Sequence, residues 1–291
     1  MGAVIELKDV TYSYPLTETP AIKNISFSIE EGGFYGIIGA NGAGKTTLCA
    51  LLRGFAPSFY QGELKGQVLV DGRPTTEYKE GELSLRVGYV FQNPFNQISG
   101  VKDTVFEEVA YGLENFGIPV DEIEDRVVKA MRLTDIERLA MKKPFELSGG
   151  QQQRMALASI LVLEPGILII DEPTSQLDPE GTESVFRIID TLKKEKRTVV
   201  LVEHKIDLIA EYADDIIVLN NGEMIRFGPK QDILSDISLA EQGVQLPQYA
   251  LLGSRLRERG IPLDSIPITE AQAVSVIGKA LQKGGAADGV H

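Results

Sequence analysis

Along the first thirty-odd positions apolar and polar residues alternate with the two-residue period of half-buried strands. The segments are Val4-Ile5-Glu6-Leu7, Val10-Thr11-Tyr12-Ser13-Tyr14 and Ile25-Ser26-Phe27-Ser28-Ile29. Short uninterrupted apolar runs follow at Phe34–Ile38, Gly166–Ile170 and Thr198–Val202. Runs of this kind read as strands covered on both faces, as in a parallel sheet flanked by helices. Val68–Val70 before Asp71-Gly72, and Val87–Phe91 ending at Gln92, predict two further strands. From about residue 93 the period lengthens. Val105, Val109, Leu113 and Phe116 mark one helical face, and Ile123, Val127 and Met131 another. Ile216–Leu219 and Met224–Phe227, joined through Asn220-Asn221-Gly222, predict a hairpin with a type I′ turn. Beyond Gly228-Pro229, three helical segments (232–241, 249–259, 270–282) are separated by Pro247, Pro262 and Pro267, and the glycine-rich 284–289 is expected to be disordered.

The expected architecture is α/β: a mostly parallel sheet flanked by helices, an N-terminal antiparallel β part, a helical insertion at about 93–160 within a unit spanning 1–230, and a helical appendage over 231–291. Composition narrows the class. The chain has 291 residues, 43% hydrophobic and 24% charged, which is that of a globular protein. No apolar stretch approaches the roughly 20 residues of a membrane span, and no signal peptide is expected. Cys49 is the single cysteine, so no disulfide forms within the chain. The net charge of −13 argues against nucleic acid as a partner. The basic run Lys193–Arg197 fits a solvated helix end favoured by its dipole.

The chemistry sits at strand ends. Gly39-Ala40-Asn41-Gly42-Ala43-Gly44-Lys45-Thr46-Thr47 follows the apolar run at 34–38, which is a Walker A loop where a strand meets a helix. Its glycines let backbone N–H groups turn in on a phosphate, Lys45 adds a cation, and the Thr46 hydroxyl can ligand Mg²⁺. Asp171 and Glu172 end one buried run. Asp171 suits a Mg²⁺-bound water and Glu172 a base orienting the attacking water. His204 ends another and is expected beside the γ-phosphate. Ser148 with Gln151 makes a capping box, and Gly149 and Gly150, costly to a helix, leave its first N–H groups open to an anion.

In this order the motifs resemble the ATP-binding cassette (ABC) family over residues 1 to about 230, with a P-loop NTPase core. The resemblance implies that Gln92 touches Mg²⁺, that Tyr14 stacks on adenine with Tyr12 as fallback, and that Ser175–Asp178 crosses a dimer interface. It also implies that Ser148–Gln151 meets ATP held by a second ATPase chain. The stretches Val90–Gln97 and Phe106–Asn115 look like the ATPase subunits of energy-coupling factor transporters, which import vitamins and metal ions. Phe95 and Gln176 depart from the usual pattern. The resemblance implies an ATP hydrolase using ATP and Mg²⁺. Its partners are an integral membrane coupling subunit and a substrate-binding membrane subunit. Its place is peripheral, on the cytoplasmic face of the membrane, and its appendage adds dimer contacts. Another ABC importer or exporter, or a DNA-repair or chromosome-structure ATPase, is the alternative. The last would need a long coiled coil between Thr46 and Leu147.

Overall fold

The structure, a computed structural model, describes residues 2–79 and 81–287, and of 282–287 the backbone only. Strands β1 (Ala3–Ser13), β2 (Ile22–Glu30) and β3 (Phe34–Gly39) lead into helix α1 (Lys45–Leu52). Strands β4 (Glu63–Val70) and β5 (Arg73–Pro74), helix α2 (Glu82–Arg86) and strand β6 (Val87–Val90) follow. Helices α3 (Val105–Asn115), α4 (Val120–Leu133) and α5 (Gly149–Leu161) form the insertion. Next come β7 (Ile167–Asp171), α6 (Pro179–Lys194), β8 (Thr198–Val202), α7 (Ile206–Tyr212), β9 (Asp215–Asn220) and β10 (Glu223–Pro229). The appendage is α8 (Lys230–Leu234), α9 (Gln248–Glu258) and α10 (Glu270–Ala287).

The strands make two sheets. One is antiparallel, in the order β2-β1-β4-β5; the other runs β10-β9-β3-β8-β7-β6 and is parallel except where β10 turns back on β9. β7 and β8 are buried at every position, as their apolar runs require. One core lies between the two sheets around α1, with Leu48, Leu51, Ile37 and Ile169 at its centre. A second packs α6, α7 and the appendage on the opposite face through Val185, Ile189, Ile209 and Ile268. A third belongs to the insertion, where Val109, Leu113, Val127 and Met131 meet Met155.

The β9–β10 turn has positive φ at Asn221 (48°) and Gly222 (82°), the type I′ geometry that its Asn-Gly requires. Several features differ from the sequence pattern. The expected helix over 232–241 ends with α8 at Leu234, and Ile237–Gln242 form a separate 3₁₀ turn after the extended Asp236. β1 is one strand rather than two, because a register shift near Asp9 (φ 50°) absorbs the break in alternation. α3 starts only after a loop over 97–104, where Thr104 and Glu107 close a capping box. α10 continues over Gly284 and Gly285 to Ala287, since a glycine near a helix end costs only about 1 kcal/mol. Residues 288 and 289, the rest of the expected disordered tail, lie outside the described residues. Between Lys45 and Leu147 the longest helix has 14 residues, too short for a coiled-coil arm among the described residues.

Candidate active site

The parallel strands β3, β7 and β8 end on one edge of the sheet, and each delivers part of the site. β3 runs into the loop 39–44, where Gly39 (φ 150°) and Gly44 (φ 101°) hold conformations closed to other residues. A Cβ on Gly39 would lie 2.2 Å from the Leu219 carbonyl oxygen, so here the glycine is required by contact as well as by φ. Gly42 needs only its φ of 78°, since nothing lies near its missing Cβ. α1 starts at Lys45 with no side-chain cap and no acidic residue in its first turn, which leaves its N–H groups facing the loop. Lys45 is buried, its Nζ donating to the carbonyls of Gly39 (3.1 Å) and Ala40 (3.2 Å).

Asp171 closes β7. Its Oδ2 accepts from the Tyr89 hydroxyl at 2.9 Å, while Oδ1 is buried without a hydrogen-bond partner. Burial raises its pKa, opposed by the Tyr89 and Thr46 hydroxyls and by the charge on Lys45. Glu172 has φ 48° and donates its N–H to Val202 O, the last rung of the ladder, so the chain bends off the sheet at this residue. The bend puts Glu172 between two neighbours: Gln92 Nε2 donates to Oε2 at 2.7 Å, and His204 Nε2 is 2.8 Å from Oε1. Burial raises the Glu172 pKa as well, and His204 counters it.

The chain thus brings Lys45, Thr46, Gln92, Asp171, Glu172 and His204 to one sheet edge. An unpartnered buried carboxylate oxygen on Asp171, with the Thr46 hydroxyl beside it, is an all-oxygen donor set that fits Mg²⁺. Tyr14 lies at the rim, half-buried, its hydroxyl 3.1 Å from Thr47 Oγ1 and its ring edge-on to Tyr12 and Tyr60. Tyr12 is wholly buried, which removes it as a base-stacking alternative.

Ser148–Gln151 lies elsewhere. Both capping-box bonds are formed: Gln151 N–H donates to Ser148 Oγ, and Ser148 N–H to Gln151 Oε1. The glycines after Ser148 line a cleft of about 410 Å³ with Gln176, Asp178 and Arg154, and no phosphate-loop residue lines it. Asp178 caps α6 through Gly181 N–H (2.7 Å), and Ser175 N–H donates to Glu172 O (3.3 Å), so the segment starts from the bend at Glu172. Cys49 is a buried hydrophobe, and the basic run is neutralised locally by Lys193–Asp214 and Lys194–Asp190 pairs.

Two site residues escaped the sequence reading. Tyr89 was visible only as a core aromatic, and Glu203 only as the neighbour of His204. Both are buried polar groups at strand ends, which is the signal that could have found them.

Comparison with known proteins gives a consistent picture. A family model described as "ABC transporter" matches residues 22–175. The energy-coupling factor transporter ATP-binding protein EcfA2 of Acetivibrio thermocellus is 38% identical over 286 residues, covering 96% of this chain and 99% of its own. The structure of cbiO1 from Clostridium perfringens, part of the ABC transporter complex cbiONQ, superposes with a TM-score of 0.71 at 31% identity, over 89% of this chain and 98% of its own. A dimeric ATP-binding cassette in a post-hydrolysis state bound to ADP and Pi gives a TM-score of 0.67 at 32% identity, over 78% and 98%.

Proposed function

The chain belongs to the ABC transporter ATPase family, and on that premise we propose that it is the ATP-hydrolysing subunit of an energy-coupling factor type importer for a vitamin or a transition-metal ion. The observation that carries the catalytic reading is Glu172, bent off the strand end and held between Gln92 and His204. A carboxylate fixed on both sides and raised in pKa by burial is suited to accept a proton from an attacking water. His204 holds Glu172 from the solvent side. Residues 39–47 supply backbone N–H groups and the Lys45 ammonium to the triphosphate, and Tyr14 offers its half-buried ring to the base. Thr46, Gln92 and Asp171 are the residues that would hold Mg²⁺, which when bound neutralises charge on the β- and γ-phosphates.

The second half of the site supports a two-chain reading. The cleft at Ser148–Gln151 and Asp178 is an anion-accepting helix start with no phosphate loop of its own chain beside it. In our reading it meets ATP held by a second ATPase subunit, homo- or heteromeric, with Ser175 and Asp178 at the interface. Closing and opening of that dimer drives an integral membrane coupling subunit and a substrate-binding membrane subunit, from the cytoplasmic face. Residues 1–230 form the nucleotide-binding unit, and 231–291 an appendage that adds dimer contacts. No described helix is long and apolar enough to cross a membrane.

The test is Glu172→Gln in the full chain. Its turnover falls by roughly 10²–10⁴, the worth of a general base, while ATP binding stays. Undiminished turnover would refute the assignment, and Lys45→Ala, losing nucleotide affinity instead, separates binding from chemistry.

A further inference from the structure

We infer that Glu203 is a positioning residue for the Glu172–His204 pair, clasping the loop that carries His204 to the segment leading from Glu172 into Ser175–Asp178. The inference rests on the ATPase reading above. β7 and β8 are neighbours in register, Asp171 opposite Val202, so Glu172 and Glu203 are the first residues past the paired ends. The last backbone bond between these two loops runs from Glu172 N–H to Val202 O. Beyond it, side chains join them. Thr174 Oγ1 donates to Glu203 Oε2 at 2.9 Å, and Lys205 Nζ donates to Thr182 Oγ1 at 2.8 Å.

Glu203 works on both sides of the gap. Its Oε1 accepts the N–H groups of His204 (3.0 Å) and Lys205 (3.3 Å), which sets the path of the loop just before α7. Its Oε2 crosses to Thr174, two residues after Glu172. The carboxylate is 4% exposed and, among the described ion pairs, has no cation; the adjacent Lys205 reaches to Thr182 instead. Burying an unpaired charge is costly unless hydrogen bonds satisfy it, and here three do. A local cap alone needs one neutral oxygen, of the kind Ser, Thr or Asn supplies. Two oxygens facing opposite loops do more: they fix His204 relative to Glu172 from behind. Because Thr174 and Thr182 flank Ser175–Asp178, any displacement of that segment is passed to the His204 loop.

The experiment compares Glu203→Ala, Glu203→Gln and Thr174→Val in the full chain. Two readouts are taken: ATP turnover against ATP concentration, and the ring-proton NMR resonances of His204 without nucleotide. The sequence holds only two histidines, so His204→Ala assigns the signal. Glu203→Ala is expected to lower kcat roughly 10–100-fold, as displacement by a fraction of an ångström does, with KM for ATP unchanged. Its His204 resonance moves toward that of Glu172→Ala. Glu203→Gln keeps an oxygen for the loop and an amide that Thr174 can accept, so it restores both readouts. Thr174→Val shifts both in the direction of Glu203→Ala, by less. Parental kcat and an unmoved resonance in Glu203→Ala overturn the inference; so does a Gln variant as impaired as Ala, which would make the charge rather than the geometry essential. If Glu203→Ala does not fold, Thr174→Val with parental kcat and resonance overturns it. A parent chain without turnover, both alone and together with its second ATPase subunit, refutes the ATPase reading instead, while the resonance comparison still decides the positioning.

Discussion

Tyr89→Phe deletes one oxygen from the centre of the site and leaves the packing in place. The Tyr89 ring meets Phe55 at 5.4 Å and Phe91 at 4.8 Å between centroids, contacts that Phe repeats. Its hydroxyl donates to Asp171 Oδ2 at 2.9 Å, on a carboxylate that is 2% exposed and whose other oxygen has no partner. Burial pushes the Tyr89 phenol well above its usual range, so it remains a donor at any working pH. A hydrogen bond to a charged group contributes about 1.5–3 kcal/mol, partly offset in the variant because a buried hydroxyl disappears with it. A net loss of about 1–2 kcal/mol is expected, which at roughly 2–4 °C for each kcal/mol is a fall of a few degrees in Tm. The second consequence is functional. A neighbour that orients a metal-binding carboxylate is worth roughly 10–100-fold in metal affinity, so tight nucleotide binding should need more Mg²⁺ by that factor. Thermal unfolding without nucleotide and nucleotide titrations at graded Mg²⁺ measure the two effects. A variant with parental Tm and parental Mg²⁺ dependence would show that Asp171 is oriented by something other than Tyr89.

Gly39→Ala forces a Cβ against the Leu219 carbonyl, which belongs to the backbone of β9, so denaturation should show a loss above about 2 kcal/mol. Gly42→Ala, strained by its φ but free of contact, should lose only about 1–2 kcal/mol; equal losses would mean that the clash relaxes. Ser148→Ala breaks the capping box of α5 at a cost of about 0.5–2 kcal/mol, and hydrogen exchange should quicken at the Gln151 amide. Unchanged exchange there would show that Gln151 alone holds the helix start.

How much of this was legible in the sequence depends on the range of the interaction. β7 and β8 were readable because a strand covered on both faces is a nearly continuous apolar run, and the β9–β10 turn because few residues besides Asn and Gly accept positive φ at both central positions. The Ser148–Gln151 capping box joins residues only three positions apart, so a local pattern encodes it. The continuity of β1 past Asp9 was hidden, since a bulge interrupts alternation without ending the strand. The Tyr89–Asp171 bond joins positions 82 apart and the Thr174–Glu203 bond positions 29 apart. Both depend on β6, β7 and β8 lying side by side, an order that no local pattern encodes.

The site's polar groups are already engaged with one another, and this shapes what nucleotide binding can yield. Lys45 Nζ donates to two carbonyls of its own loop, and Gln92 and His204 both hold Glu172. A phosphate at Lys45 therefore competes with the Gly39 and Ala40 carbonyls, and its benefit is the difference between a charge-assisted bond and two neutral-acceptor ones. The backbone N–H groups at the start of α1 face no such competition, having neither a side-chain cap nor a first-turn carboxylate. Affinity should thus rest more on the loop backbone and helix start, and discrimination of the γ-phosphate more on the side chains that must exchange partners. Exchange at Gln92 or His204 loosens Glu172, and through Thr174 and Glu203 the same movement reaches Ser175–Asp178, on the side where a second chain would sit. On the proposed function, chemistry at one edge of the sheet and closure of a dimer would be two readings of a single set of hydrogen bonds.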